Sequence, residues 1–520
     1  MKVALAEEMR QIDDLAASRY GIPEILLMEN AGKAATDVLA NLIGDLCGKT
    51  VCIVAGAGNN GGDAFAAARH IANHGAAVRV FLLGTAAHMK PAAALNRDIC
   101  VKMGIDVYSL SEERDWDRLT IFLRFADSIL DGIIGTGFSG SLREDASRLI
   151  KIINDAGKPV VSIDLPSGVN SDTGAVLSDA IKASMTVTLG LPKPGHFFCP
   201  GAAYTGRLVV DDIGLPSVLI NREDISQEYI DDDFAKALLK PRPLDVHKGD
   251  CGRILVIAGS LGMTGAAALA SMAALRSGAG IVTLALPESL NSIMEVKLTE
   301  IMTLPLPEEE DGSLGTDAAE KLIEASKEYD IVLIGPGLGR KAGTMDFVRE
   351  VCAAVDKPLI MDADALYAYR NFTGELSTLK NVPILTPHLG EMAGLLDISV
   401  KELRNDLLNL AKQAAAEWNS IIVLKSECTI IASPSGNIWF TSKGNSGMAT
   451  AGAGDVLAGT IAGLGKQLEA GAAPIVGVYL HGLAGDVAAK KAGTGLIASD
   501  IVENLPKARQ LLETGKAGNN

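Results

Sequence analysis

Three apolar runs in the first half of the chain end in residues that can bind ions or move protons. TVCIVA (50–55) runs into Gly56-Ala57-Gly58-Asn59-Asn60-Gly61-Gly62-Asp63, ADSIL into Asp131-Gly132-Ile133-Ile134-Gly135-Thr136-Gly137, and VVSI into Asp164-Leu165-Pro166-Ser167-Gly168. A glycine turn between strand and helix leaves backbone N–H groups free for a phosphate. Asn59, Asn60 and Asp63 add side-chain oxygens suited to a hard cation or a polar ligand; a turn stocked with glycine and Asx for its geometry alone is the alternative. Asp164 can shuttle a proton or merely cap its Asp-x-Pro-Ser turn. In the second half, Gly452-Ala453-Gly454-Asp455 precedes the Ala/Leu-rich VLAGTIAGLG. That pattern predicts a helix N-terminus whose free amides and dipole favour an anion. An aspartate there is repelled by bound phosphate unless it acts as a base on the hydroxyl attacking a phosphoryl group; an ordinary N-cap is the other reading.

Two nucleotide motifs fail. Residues 56–61 formally spell GxGxxG, but the next strand, AAVRVFLLG, ends without the acid that would hold a ribose. A conventional dinucleotide fold is therefore disfavoured. No GxxxxGK[ST] occurs, which excludes the P-loop class.

The elements that must position these residues are short β-branched runs alternating with Ala-rich helical stretches. Strands are expected at 50–55, 77–83, 128–131, 160–164 and 186–189, and again at 253–258, 281–286, 331–334, 359–361, 384–386 and 421–424. Such alternation implies right-handed βαβ units and mostly parallel sheets, so the polar strand ends converge at a carboxyl edge. The rhythm breaks over 214–245, where charge and proline accumulate, and HKGDCGRILVIAGS restarts it. The fold class expected is α/β, two three-layer domains, 1–222 and 223–515, with the boundary near 225.

Composition narrows the class further. With 47 Lys plus Arg against 63 Asp plus Glu the net charge is −16, which argues against non-specific nucleic-acid binding. Apolar residues at 48% suffice for full cores. The cysteines form no CxxC and the histidines no ligand-spaced pair, which argues against zinc. The N-terminus turns acidic where a signal peptide needs an apolar segment, and the apolar stretch 265–287 is interrupted by Arg276 and glycines. A cytoplasmic protein without membrane or nucleic-acid partners is expected.

GxGNNGGD, DxxxGTG and DxPSG, preceded by Leu27-Met28-Glu29-Asn30-Ala31-Gly32 and followed by Lys193-Pro194-Gly195, resemble the YjeF N-terminal domain, the NAD(P)H-hydrate epimerases, over residues 1–215. The resemblance implies a Rossmann-like fold and K⁺ held by Asn60, Asp131 and Ser167. It implies hydrate contacts along Asn59, Asn60, Gly61, Gly62 and Asp63. A second set follows at Gly135, Thr136, Gly137, Phe138, Ser139, Gly140 and Ser141, with Asp164 beside the reacting ring. Ala64 stands where many members have glycine.

GAGD with its helix resembles the ribokinase-like superfamily. His247-Lys248-Gly249, the Gly259–Ala267 turn, Gly335-Pro336-Gly337-Leu338-Gly339, Asp362-Ala363-Asp364, Thr386-Pro387-His388 and Leu424-Lys425 narrow it. Together they resemble the YjeF C-terminal domain, the nucleotide-dependent NAD(P)H-hydrate dehydratases, over 235–510. By that resemblance Ala266, Gly337, His388 and Asp455 contact the hydrate. Lys425, Ser426, Glu427, Cys428 and Thr429 hold the nucleotide with Gly454, and the Gly452–Gly454 amides form the anion hole. From the residues alone, His388 could instead only position backbone, and Lys425 could be a strand-end surface lysine. Leu389, Ser426, Ser446 and Ala451 depart from the family pattern without removing a functional group. The short linker resembles the bacterial fused form, which implies ADP rather than ATP, with Mg²⁺ on its phosphates and a homo-oligomer. The expected function is bifunctional repair of hydrated NAD(P)H: epimerisation, then phosphorylation of the ring hydroxyl and elimination. The rivals are a ribokinase-like kinase that releases a stable phospho-product and a binding protein whose first half is inert.

Overall fold

A computed structural model describes all residues except 139, 241, 244, 470 and 516–520. The chain divides into two compact units, Lys2–Ser226 and Gln227–Asn520, the second also taking in Met1.

The N-terminal unit is built on a parallel sheet of β1 (Thr50–Ala55), β2 (Ala77–Leu82), β3 (Asp106–Ser109), β4 (Ser128–Gly132), β5 (Val160–Ile163), β6 (Met185–Leu189) and β7 (Arg207–Asp211). Their spatial order is 3-2-1-4-5-6-7, parallel throughout. The order reverses between β1 and β4, the kind of switch point beyond whose strand ends parallel sheets bind ligands. Both faces are covered: Val51, Ile53 and Ala55 pack under helices 24–43 and 59–73, while Cys52 and Val54 face Trp116, Leu119 and Ile150. Burial on both faces explains why β1 reads as an unbroken apolar run.

The glycine turn after β1 enters helix Asn59–Asn73 directly, with Gly58 as N-cap. A Cβ on Gly61 would sit 1.8 Å from the Gly56 carbonyl oxygen, so the turn closes only around glycine.

The C-terminal unit contains β8 (Gln227–Tyr229), β9 (Arg253–Ile257), β10 (Ile281–Pro287), β11 (Met302–Leu306), β12 (Ile331–Ile334), β13 (Leu359–Met361), β14 (Ile384–Leu385), β15 (Ile421–Leu424), β16 (Thr429–Ala432) and β17 (Ile438–Thr441). Their order is 8-17-16-15-14-13-12-9-10-11. All neighbours are parallel except the pairs made by β16, which runs antiparallel to β15 and to β17. The segment expected to be a break in the rhythm thus holds strand β8 and helix Asp232–Leu238. These elements are too short for a periodic signal to emerge from their charged composition.

Helix Thr264–Ser277 and helix Ala453–Leu464 lie close along a seam of small residues. A Cβ on Gly459 would come within 2.1 Å of the Ala270 carbonyl oxygen, and one on Gly463 within 2.1 Å of that of Ala274. Ala472–Gly495 is long and apolar enough to cross a membrane, and 78% of its most apolar window is buried inside the protein. Ile475, Val476, Tyr479 and Leu480 of this helix belong to the unit's core. The apolar stretch 265–287 is helix Thr264–Ser277 followed by strand β10.

Candidate active sites

Each unit gathers its reactive side chains at the carboxyl ends of its central strands. In the N-terminal unit, Asp131 at the end of β4 is fully buried. Its carboxylate accepts hydrogen bonds from Ser162 Oγ (2.8 Å), Ser167 Oγ (2.6 Å), Ser167 N (3.0 Å) and Ile133 N (3.2 Å). Burial pushes its pKa up, and these donors offset only part of that. Asn60, in the first turn of its helix, is buried with neither its Oδ1 nor its Nδ2 bonded. An orphaned buried amide oxygen costs free energy unless a ligand satisfies it, so Asn60 Oδ1 fits the role of a cation ligand. Among the described residues no group of three or more His, Cys, Asp or Glu could hold a metal ion.

Asp164 follows β5 in a left-handed conformation (φ 65°), which Asp adopts more readily than most residues. Two backbone bonds hold it there: Asp164 N donates to Val187 O (2.7 Å), and His196 Nε2 donates to Asp164 O (2.8 Å). His196 Nδ1 accepts from Lys193 N (3.0 Å), which fixes that tautomer. Burial and the neighbouring Lys193 charge push His196 down to about 4, so it is neutral near pH 7. Burial opposes ionisation of Asp164, but the Lys193 ammonium and its hydrogen bond bring the carboxyl below the usual range. Its neighbours go the other way. Burial and repulsion from Asp164 hold Asp63 well above the carboxylate range. Asp13 is pushed up to about 6 by loss of hydration and by the charges of Asp164 and Glu24, against the pull of Lys193.

In the C-terminal unit, Asp362, Thr386 and Lys425 stand at the ends of the adjacent strands β13, β14 and β15. Lys425 Nζ (2.8 Å) and Thr386 Oγ1 (2.7 Å) both donate to Asp362 Oδ1. Burial disfavours the Lys425 charge, yet Asp362 and Glu391 raise its pKa overall. Gly452 caps helix Ala453–Leu464 with φ 90°, a conformation that glycine adopts freely. A Cβ on Gly454 would lie 3.1 Å from Lys425 Nζ, which puts the ammonium over the helix N-terminus. Asp455, in that helix's first turn, is pushed up to about 7 by burial and by the charge of Asp362, with Lys425 pulling it down. An aspartate so poised is a competent proton acceptor near neutral pH.

The structure brings several of the expected residues together. A Cβ on Gly135 would touch Asn60 Cγ (3.3 Å) and Asp164 Oδ2 (3.4 Å), so these three meet. Asp131 and Ser167 are hydrogen-bonded. Ala266 lies against Gly337, 3.2 Å from a Cβ built there. Lys425–Thr429 forms the turn from β15 into the antiparallel β16, with Ser426 Oγ donating to Cys428 O (2.6 Å) and Thr429 Oγ1 to Ser426 O (3.3 Å). Others are placed less directly. Asn59 donates to the exposed Glu24. Thr136 O and Phe138 O take long bonds of 3.4 Å from Ser171 Oγ and Asn170 Nδ2. Gly137, Gly140 and Ser141 are exposed, and Ser139 lies outside the described residues. Glu427 pairs with Arg404. His388 caps helix Leu389–Leu396: its Nδ1 accepts from Gly390 N (3.0 Å) and Glu391 N (3.2 Å). Its backbone bridges that of Lys425, so it also borders the site.

Sequence reasoning passed over Lys193, His196, Asp13 and Asp362 as site residues. The Lys-Pro-Gly motif offered the only local signal for the first two. Asp13 arrives from an N-terminal helix (Ala6–Tyr20) far away in sequence.

Two families match. The one described as YjeF-related protein N-terminus covers residues 24–195, and NAD(P)H-hydrate dehydratase covers 254–507. A bifunctional NAD(P)H-hydrate repair enzyme of Moorella thermoacetica is 42% identical over 516 residues, 99% of this chain and 97% of that protein. Its namesake in Escherichia coli is 32% identical, covering 96% and 93%. Among solved structures, an ADP/ATP-dependent NAD(P)H-hydrate dehydratase of Bacillus subtilis is 31% identical, covering 54% of this chain and 98% of that one, with a TM-score of 0.47. Identity at this level along nearly the whole length of both proteins leaves one conclusion: the chain belongs to the family of bifunctional NAD(P)H-hydrate repair enzymes.

Proposed function

We propose that the N-terminal unit interconverts the R and S epimers of hydrated NADH and NADPH. The C-terminal unit then returns the S epimer to NAD(P)H at the expense of ADP, releasing AMP and phosphate. The observation that carries this reading is the arrangement at Asp455. A base poised near neutrality stands in the first turn of a helix, where Gly454 lies beside the Lys425 ammonium.

Hydroxide is a poor leaving group, so water leaves the hydrated ring slowly. Asp455 takes the proton of the ring hydroxyl as its oxygen attacks the terminal phosphoryl of ADP, and AMP departs. The Gly452–Gly454 amides stabilise charge on the transferring group; one such donor is typically worth about 3–4 kcal/mol. The ring nitrogen then expels phosphate, a proton leaves the neighbouring carbon, and the dihydropyridine is restored. Lys425 and the turn to Thr429 hold the nucleotide, while Ala266, Gly337 and His388 border the hydrate. Mg²⁺ would accompany the phosphates and neutralise them.

In the N-terminal unit, Asp164 moves the proton at the epimerising centre, and the loops at Asn59–Asp63 and Gly135–Ser141 bind the hydrate. Asn60, Asp131 and Ser167 would hold K⁺, whose low charge density suits it to fixing loops rather than to Lewis-acid catalysis. The unpaired Asn60 oxygen supports that assignment. Division of labour between 1–222 and 223–515, assembly as a homo-oligomer and a cytoplasmic setting belong to the same reading. Cys47, Cys52, Cys100, Cys251 and Cys352 are free thiols, in keeping with a reducing compartment.

The test supplies both NADPH-hydrate epimers with K⁺, Mg²⁺ and ADP and follows recovery of dihydronicotinamide absorbance. Wild type restores nearly all the cofactor with AMP formed. Asp455→Ala restores none, and Asp164→Ala stalls with one epimer left over. Folded wild-type protein that restores no cofactor with either ADP or ATP overturns the reading, and a stable phospho-product identifies a small-molecule kinase instead.

A further inference from the structure

A lysine at 1% exposure is the most deeply buried cation of the N-terminal unit's site. An ammonium has three protons to place, and Lys193 places all of them: on Asp164 Oδ1 (2.5 Å), Thr188 Oγ1 (3.1 Å) and Leu189 O (3.0 Å). Thr188 Oγ1 also reaches Asp164 Oδ1 at 3.4 Å. One carboxylate oxygen of Asp164 is thereby pinned. The other, Oδ2, faces Gly135, 3.4 Å from where a Cβ would stand, and the Leu189 backbone also helps hold the carboxylate. Asp13 and Asp63 both feel the charges of this pair, and the buried His196 is neutral. Lys193 is thus the cation that balances the Asp164 carboxylate in a site where burial opposes charge.

We propose that Lys193 is the positioning residue of the epimerising site. Its ammonium locks Asp164 Oδ1, so that Oδ2 is presented to the substrate loop, and it supplies the counter-charge that keeps this carboxylate available to accept a proton. The inference rests on the reading of Asp164 as the proton-shuttling group. A buried ion pair serving only the fold would not need to turn one oxygen toward a loop backbone. Such pairs are in any case weak sources of net stability, because both ions lose their hydration.

The full-length chain is assayed for R-to-S conversion of NADPH hydrate without nucleotide, by chromatographic separation of the epimers. Dehydration of pure S epimer with ADP reports on the other unit in the same sample. Lys193→Ala is expected to lower epimerisation kcat about 100-fold, the scale of one positioned acid–base group, with KM changed less than about threefold. Ethylammonium is expected to restore at least about tenfold of that loss, ethanol none, and Lys193→Arg to exceed Lys193→Gln by a similar factor. A structural role predicts no amine rescue and equal damage from Arg and Gln. Should Lys193→Ala fail to fold in the N-terminal unit, the Arg and Gln variants decide alone, since both fill the space and one carries charge. Wild-type kcat in Lys193→Ala, a loss confined to KM, or no advantage of Arg over Gln overturns the proposal. Unimpaired epimerisation by Asp164→Ala overturns instead the reading on which it rests.

Discussion

Replacing Asp455 with asparagine is expected to stabilise the C-terminal unit at pH 8 while abolishing dehydration. In the folded protein Asp455 keeps its proton up to about 7, because burial and the Asp362 charge outweigh the pull of Lys425. Unfolded, it loses that proton near the ordinary carboxylate value of about 3.9. Between those values unfolding releases a proton, so stability falls as pH rises, by up to about 1.4 kcal/mol per unit. Over about three units this amounts to about 4 kcal/mol at most, and relaxation of the half-buried site reduces it to about 2–4 kcal/mol. Asparagine keeps the shape and has nothing to ionise. For a unit of this size about 2 °C per kcal/mol is expected, hence a Tm about 4–8 °C above wild type at pH 8. The gap should close by pH 4, where the wild-type side chain is protonated in the folded state. Differential scanning calorimetry from pH 4 to 8 reads this directly. A variant no more stable than wild type at pH 8, or a gap independent of pH, refutes the claim that the fold strains against its own base.

Other perturbations test other parts of the two sites. Asn60→Ala should abolish the rise in Tm of the N-terminal unit on replacing Na⁺ by K⁺, because a ligand stabilises only the state that binds it; a K⁺-dependent shift that persists removes Asn60 from the cation site. Lys425→Met should raise the KM for ADP with epimerisation untouched, which steady-state kinetics on each epimer will show. Asp362→Asn removes the second-largest influence raising Asp455, so the acid limb of dehydration kcat should move down by about one pH unit or less. Gly459→Val should destabilise the C-terminal unit by at least about 1–3 kcal/mol, because even its Cβ would lie 2.1 Å from a carbonyl oxygen of the facing helix; urea melts check this.

The sequence revealed the fold wherever strands are buried on both faces. Thr50–Ala55, Ile331–Ile334, Leu359–Met361 and Ile421–Leu424 are apolar runs bounded by turns, and they stand in the structure with the ends expected. Strands at or near the sheet margins escaped notice. Asp106–Ser109 and Arg207–Asp211 carry charges at their ends, and Met302–Leu306 contains a proline, each a feature that edges tolerate and central strands do not. The hairpin Thr429–Thr441 was also missed, although Pro434-Ser435-Gly436-Asn437 marks its turn. The expected sequence of parallel crossovers left no place for an antiparallel pair. At the sites, glycines and strand-end carboxylates were legible because backbone geometry demands them locally. Lys193, Asp13 and Asp362 matter through partners 29 to 151 positions away, such as Asp164 and Lys425, and no local pattern encodes a contact of that kind.

The placement of Lys425–Thr429 at a hairpin turn has an evolutionary consequence. Asp362, Thr386 and Lys425 occupy the ends of adjacent strands, and each crossover that delivers them is tied to the helices covering the sheet. An insertion within these crossovers shifts a register shared by several elements. A hairpin turn at the surface is less bound by that constraint, since lengthening it costs little closure entropy and moves no helix. The turn beyond Lys425, proposed to hold the nucleotide, can therefore change composition while Asp455 and Lys425 stay fixed. Descendants of such a fold can drift in which nucleotide they accept without rebuilding the chemistry.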